Sequence, residues 1–147
     1  MSSPLENLCG PGKPLALEPR DAREFAGLKR SALARLKDAR NQANSLESRF
    51  DLAYNAAHAL CLAALRWHGY RSGNRYIVFQ VLPHTLGLGA AVWRVLSKGH
   101  EARNMAEYEG AVDVDERLVE DLIRAAGAVR AALRAAFPPD VGGGDAE

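Results

Sequence analysis

The sequence predicts an all-α fold, an up-and-down bundle of four or five helices, on three observations. Apolar residues recur at three- and four-residue spacing through four long segments. Asp, Asn, Gly and Pro stand where helices would begin and end. No stretch alternates with period two for long enough to make a strand; YIVFQVL (76–82) is the one β-like run, and its flanks favour a short helix.

Pro4, Gly10, Pro11, Gly12 and Pro14 mark residues 1–18 as a leader without regular structure. A first helix should open at Pro19, since proline suits the first helical position, where its missing N–H is no loss. Phe25, Leu28, Ala32, Leu36, Ala39 and Ala43 give it one apolar stripe, with Lys29, Arg30, Lys37 and Arg40 opposite. A second helix should run from Leu46 to His68, opened by the capping-box pair Asn44 and Glu47 and closed by Gly69. It is apolar nearly all round from Leu52 to Leu65, apart from Asn55 and His58, so it belongs at the centre of the bundle. Residues 69–75 read as a polar loop. A third helix over 76–86 should bend or break at Pro83. A fourth covers 90–107, with Gly99 marking a break or a close approach. A fifth, capped by Asp113 and Glu116, runs to Ala136 with Leu118, Leu122, Ala125, Val129 and Leu133 on one stripe. The ordered domain is then 19–137, with a disordered tail over 138–147.

A chain of 147 residues, 48% hydrophobic, suffices for one domain with its own core. No run approaches the ~20 strongly apolar residues of a transmembrane helix. The opening residues lack the basic start and apolar stretch of a secretory signal. Cys9 and Cys61 make neither a disulfide framework nor a zinc site, so a reducing cytoplasm is the expected compartment. No metal-ligand spacing, phosphate loop or nucleophile elbow is present, and no cofactor is expected. Nineteen basic and 18 acidic residues are unevenly spread: residues 52–100 hold five basic side chains and no acidic one, whereas 101–147 hold five basic and eleven acidic. Such polarity suits a field that attracts phosphates; on charge alone the plainer reading is a core-forming middle with a few solvated arginines.

The chemistry concentrates at one place. His100, Arg103, Asn104, Glu107 and Tyr108 fall within an arc of about 140° on one helix. Arg is a bidentate donor for phosphate, Asn can read a base or hold the Arg, Tyr can stack on a base, and His100 titrates near neutral pH. The alternative is an (i, i+4) ion pair between Arg103 and Glu107, with Tyr108 packed on the next helix. Tyr54 and His58, one turn apart on the second helix, are placed to reach Arg103 across the bundle; a satisfied core histidine is the alternative for His58. Arg49 and Asp51 open the same helix as supporting partners. Arg66, Trp67, His68, Tyr70, Arg71 and Arg75 interleave cations with aromatics, as a nucleic-acid contact does or as a helix end neutralised by cations does. Trp93 reads as core or dimer contact, and His84 as a residue at the bend.

Arg103-Asn104-Met105-Ala106-Glu107-Tyr108 resembles the signature of the higher-eukaryote and prokaryote nucleotide-binding (HEPN) superfamily: an Arg, a polar residue that is often Asn, three variable residues, and a His. Residues 48–71, SRFDLAYNAAHALCLAALRWHGYR, are similar to the first core helix of these domains. The resemblance covers roughly residues 20–136 and implies a helical bundle, a homodimer with facing motifs, and binding of RNA or a nucleotide. Many similar domains are metal-independent ribonucleases of toxin or defence type, and others bind RNA, nucleotides or protein partners without cleaving. Here Tyr108 stands at the His position, giving Arg-Asn-x-x-Glu-Tyr in place of Arg-x4-His. An unperturbed tyrosine, with a pKa of ~10, is a poor base at neutral pH, and His100 is the substitute within reach. The resemblance thus makes Arg103, Tyr108 and His100 the candidate catalytic residues. Arg103, Asn104, Glu107, Tyr54, His58 and Arg71 are the candidate ligand contacts. Three functions follow in order: an RNA- or nucleotide-binding domain with weak or no catalysis, a metal-independent endoribonuclease, and a protein-interaction module.

Overall fold

The computed structural model describes residues 3–110 and 114–137, with Tyr108 and Glu109 described by backbone alone. The architecture is the expected all-α bundle, built around α3 (Leu46–Trp67). Thirteen of that helix's 22 residues are buried, and six of those are alanines whose small side chains let neighbours come close on every side. α2 (Ala22–Ala39) and α7 (Glu116–Ala136) flank it, α6 (Ala90–Glu109) packs on α7, and the short α4 (Arg75–Gln80) and α5 (Leu82–Thr85) bridge α3 to α6.

Two buried arginines fix the directions. Arg66, near the end of α3, reaches Glu24 at the start of α2, and Arg49, near the start of α3, donates to the carbonyl of Ala39 at the end of α2; the two helices are antiparallel. Arg49 also meets Glu116 at the start of α7, while Trp67 and His68 meet Phe137 just past the other end, so α3 and α7 run parallel.

The leader differs from expectation. Residues 3–17 hold a helical turn, α1 (Pro4–Asn7), and a strand, β1 (Leu15–Leu17). β1 pairs antiparallel with β2 (Tyr70–Ser72), inside the segment expected to be a plain loop, in the register Leu15↔Ser72, Ala16↔Arg71 and Leu17↔Tyr70. The prolines and glycines there shape a tight turn: Gly10 and Gly12 take φ of 138° and 74°, and Leu5 and Leu15 are buried. Residues 138–147, expected as a disordered tail, and Asp113 lie outside the described residues.

Element boundaries follow the side chains that cap them. α2 opens at Ala22, not at Pro19, because the Asp21 carboxylate accepts from the N–H groups of Arg23 and Glu24. Ser45 caps α3, while Asn44 donates instead to the carbonyl of Asp38. The expected third helix is two pieces, broken at Val81, with Pro83 in the first turn of the second. α7 is capped by Asp115, which accepts from Leu118 N–H. α6 runs unbroken through Gly99, where an added Cβ would sit 2.8 Å from Leu122 Cδ2; the glycine lets α7 come close. Among the described residues no helix is long and apolar enough to cross a membrane.

Arg66 is the most heavily bonded of these groups. It donates to the Glu24 carboxylate and to the carbonyls of Glu18, Pro19 and Tyr70, and pairs with the Glu18 carboxylate at 3.3 Å. Truncation removes all of these bonds from a buried guanidinium while the two carboxylates return to solvent, and losing such charge-assisted bonds costs about 3 kcal/mol. Urea unfolding at pH 7 should show Arg66→Ala destabilised by that amount, and Arg23→Ala, on the exposed face of α2, by less than about 0.5 kcal/mol.

Candidate functional site

Tyr54 is fully buried on α3, so its hydroxyl must find a partner inside the protein. The partner is His100 on α6, whose Nδ1 lies 3.0 Å away. One turn further along α6, Asn104 Nδ2 lies 3.2 Å from His100 Nε2. With Asn104 donating to Nε2, a neutral imidazole carries its proton on Nδ1 and donates it to Tyr54. Phe79 and Tyr76 of α4 wall the imidazole, with ring centroids at 6.2 and 5.3 Å.

Two guanidiniums border this chain. Arg103 Cζ lies 5.3 Å from the centroid of the Tyr54 ring and Arg75 Cζ lies 5.8 Å from it, both within the range of attraction between a cation and an aromatic face. Arg103 pairs with Glu107 at 3.2 Å, in the expected (i, i+4) arrangement; Glu107 is 64% exposed. Arg75 donates to Asn55 Oδ1 at 3.1 Å and has no carboxylate partner among the described residues. Of the two cations, only Arg103 has an ion-pair partner among the described residues, and that partner is solvated.

The titratable groups answer to this excess. Burial, then Arg103 and Arg75, lower the His100 pKa, against the weaker pull of Glu101 and Glu107. Burial, then Arg75, Arg103 and His100, hold His58 down to about 4, and its Nε2 is buried without a partner. Burial raises the Tyr54 hydroxyl, opposed chiefly by Arg75. Burial and the two arginines together disfavour the charged form of both histidines.

A comparison of the chain with known protein families, characterised proteins and solved structures found no match. The site is therefore judged on its own geometry. Six sequence-derived candidates, Arg103, Asn104, His100, Glu107, Tyr54 and His58, share one cluster. Arg71 does not join it. It is exposed on β2, its Nε 3.6 Å from Glu18, because strand pairing carries it into the Glu18–Arg66 network. Tyr108 lies on α6, with its side chain outside the described residues. Arg49 is a structural tie between helices, and Asp51 is exposed, its carbonyl accepting from Asn55. Arg75 is the contributor that sequence reasoning placed only among loop cations. Its signal was Asn74, a side chain able to cap a helix beginning at residue 75, as it does by accepting from Ile77 N–H. A polar depression lined by Asp38, Asn41, Asn44, Ser48, Asp51 and Leu52 opens at the α2–α3 turn and includes none of the cluster. Among the described residues no three His, Cys, Asp or Glu side chains come together as a metal-ligand set.

The depressed His58 pKa has a definite sign in stability. The unfolded chain takes up this proton near pH 6.5, while the fold resists it down to about pH 4. The contribution is whole above pH 6.5 and is lost as pH falls towards 4, by up to about 3 kcal/mol. Urea midpoints measured from pH 7.5 to 4.5 should fall more steeply for wild type than for His58→Gln, which cannot titrate there. Parallel pH profiles would show that His58 is not held neutral by the fold.

Proposed function

We propose that the chain binds RNA or a nucleotide through its phosphate, held by Arg75 and Arg103, as a HEPN-like domain with weak or no catalysis. The observation that carries this reading is the convergence of both guanidiniums on the buried Tyr54 ring, where the one ion pair among the described residues is that of Arg103 with the exposed Glu107. A planar guanidinium already oriented against a ring loses little freedom on binding a phosphate oxygen. Asn104 stands beside Arg103 at the mouth of the site, exposed to a ligand. The motif resemblance points the same way.

Binding is favoured over cleavage by the engagement of His100. Both of its ring nitrogens have protein partners, Tyr54 and Asn104, so neither is open to take a 2′-hydroxyl proton without breaking a hydrogen bond. In this reading the motif is a phosphate grip whose histidine stiffens the grip. The homodimer implied by the resemblance belongs to the same proposal. Met105, 55% exposed beside Arg103 and Asn104, is an apolar contact available to a second copy, and light scattering should then give twice the 15.9 kDa chain mass.

Fluorescence anisotropy with a labelled short single-stranded RNA tests the reading. Arg103→Ala and Arg75→Ala should each weaken binding about ten- to a hundredfold while leaving the circular dichroism spectrum unchanged, because each removes a charge-assisted contact worth ~1.5–3 kcal/mol. Lys at either position should restore only part, since an ammonium keeps the charge and loses the fork. Wild-type affinity should fall steeply with salt. No RNA binding at low salt would leave the protein-interaction reading in its place. Cleavage products ending in 2′,3′-cyclic phosphate, formed in EDTA, would make it the ribonuclease.

A further inference from the structure

Beyond the arginines, α6 carries a second chemical feature in register with them. Taken at 100° per residue, Trp93, His100, Asn104 and Glu107 fall within about 60° of one another on the helix. Trp93 begins the row and Asn104 lies eleven residues on, roughly 16 Å along the axis at 1.5 Å per residue. α4 lies alongside. Its Tyr76 ring stands between the two ends, 5.7 Å from Trp93 at 66° and 5.3 Å from His100 at 46°. Arg75, next to Tyr76 in the chain, reaches the Tyr54 end. Trp93 and Tyr76 are both half-buried, and Trp93 packs against the core.

The row thus joins an aromatic platform at one end to cationic groups at the other. Single-stranded nucleic acid is recognised by that combination, bases stacked on aromatic side chains and backbone held by cations. Inorganic phosphate would use only the arginines. A mononucleotide is too short to reach both Trp93 and Arg103.

We propose that Trp93, braced edge-on by Tyr76, is a base-stacking platform, and that the ligand of this site is an extended single strand of RNA running from Trp93 along α6 to Arg75 and Arg103. The proposal rests on the phosphate-binding reading and adds the class of polymer and its direction of reach. The carboxylates on the same row or beside it, Glu107 and Glu101, are exposed, so a backbone can pass without displacing a buried anion.

The test uses the full chain with Trp67→Phe, so that Trp93 is the only tryptophan, after circular dichroism shows the helical spectrum retained. Hexauridylate should quench Trp93 emission saturably, whereas pyrophosphate should compete for the site without quenching. Trp93→Leu in the otherwise unaltered chain should weaken hexauridylate about tenfold and leave pyrophosphate unaffected, and Trp93→Phe, which keeps a stacking face, should recover most of the loss. Hexauridylate bound with unchanged Trp93 emission, or bound equally by Trp93→Leu, overturns the platform while leaving the phosphate reading intact if Arg103→Ala still weakens binding. Uridine monophosphate that quenches Trp93 with the hexamer's affinity overturns the extended strand. Wild type that binds neither hexauridylate nor pyrophosphate overturns both readings together.

Discussion

Burial of α3 on nearly every side is the constraint from which the rest follows. The side chains on its buried faces have no water, so a polar group there is held by another element or costs free energy, as His58 Nε2 does. Three long polar side chains on α3 meet that demand: Arg49, Tyr54 and Arg66. The two arginines at the ends are matched by carbonyls and by carboxylates at the surface, and so lock α2, α7 and the β1–β2 pair to the central helix. Tyr54, midway, is matched by His100 on α6 and by Arg75 at the start of α4. The same requirement that builds the bundle at its ends brings α6 to its middle with a histidine, an asparagine and an arginine in place.

The cluster's electrostatics come from competition between burial and cations. Burial alone disfavours charge on His58, His100 and Tyr54, and the arginines add to that for both histidines while opposing it for tyrosine. The charged form of both histidines is thereby disfavoured, so the positive charge of the site resides on the guanidiniums of Arg75 and Arg103. A site of this kind holds its charge across pH while its hydrogen-bonded scaffold softens only in acid.

What the sequence revealed and what it hid divide by range. Helix spacing is local, so the stripe of α2, the all-round burial of α3 and the shared face of His100, Arg103, Asn104 and Glu107 could be read directly. Tyr54 and His58 were legible because an apolar helix with two polar groups one turn apart invites a partner. The β1–β2 pairing joins residues more than fifty positions apart, and three-residue strands carry no periodicity, so neither the leader's order nor the removal of Arg71 to Glu18 could be seen. Arg75 was hidden by the placing of the helix start: a helix assumed to begin at Tyr76 leaves residue 75 in a loop, whereas one capped by Asn74 begins at Arg75 and brings it to the Tyr54 ring.

The ion pair of Arg103 with Glu107 was a rival to the ligand-site reading when only spacing was known, and the geometry makes the two compatible. An (i, i+4) pair with its carboxylate 64% exposed contributes a few tenths of a kcal/mol. A phosphate held by two guanidiniums, as proposed, would make charge-assisted bonds of ~1.5–3 kcal/mol each and would displace Glu107. Glu107 holds the Arg103 guanidinium while it lies against the Tyr54 ring. The pair is a weak latch on a cation, and its weakness is what leaves the cation available.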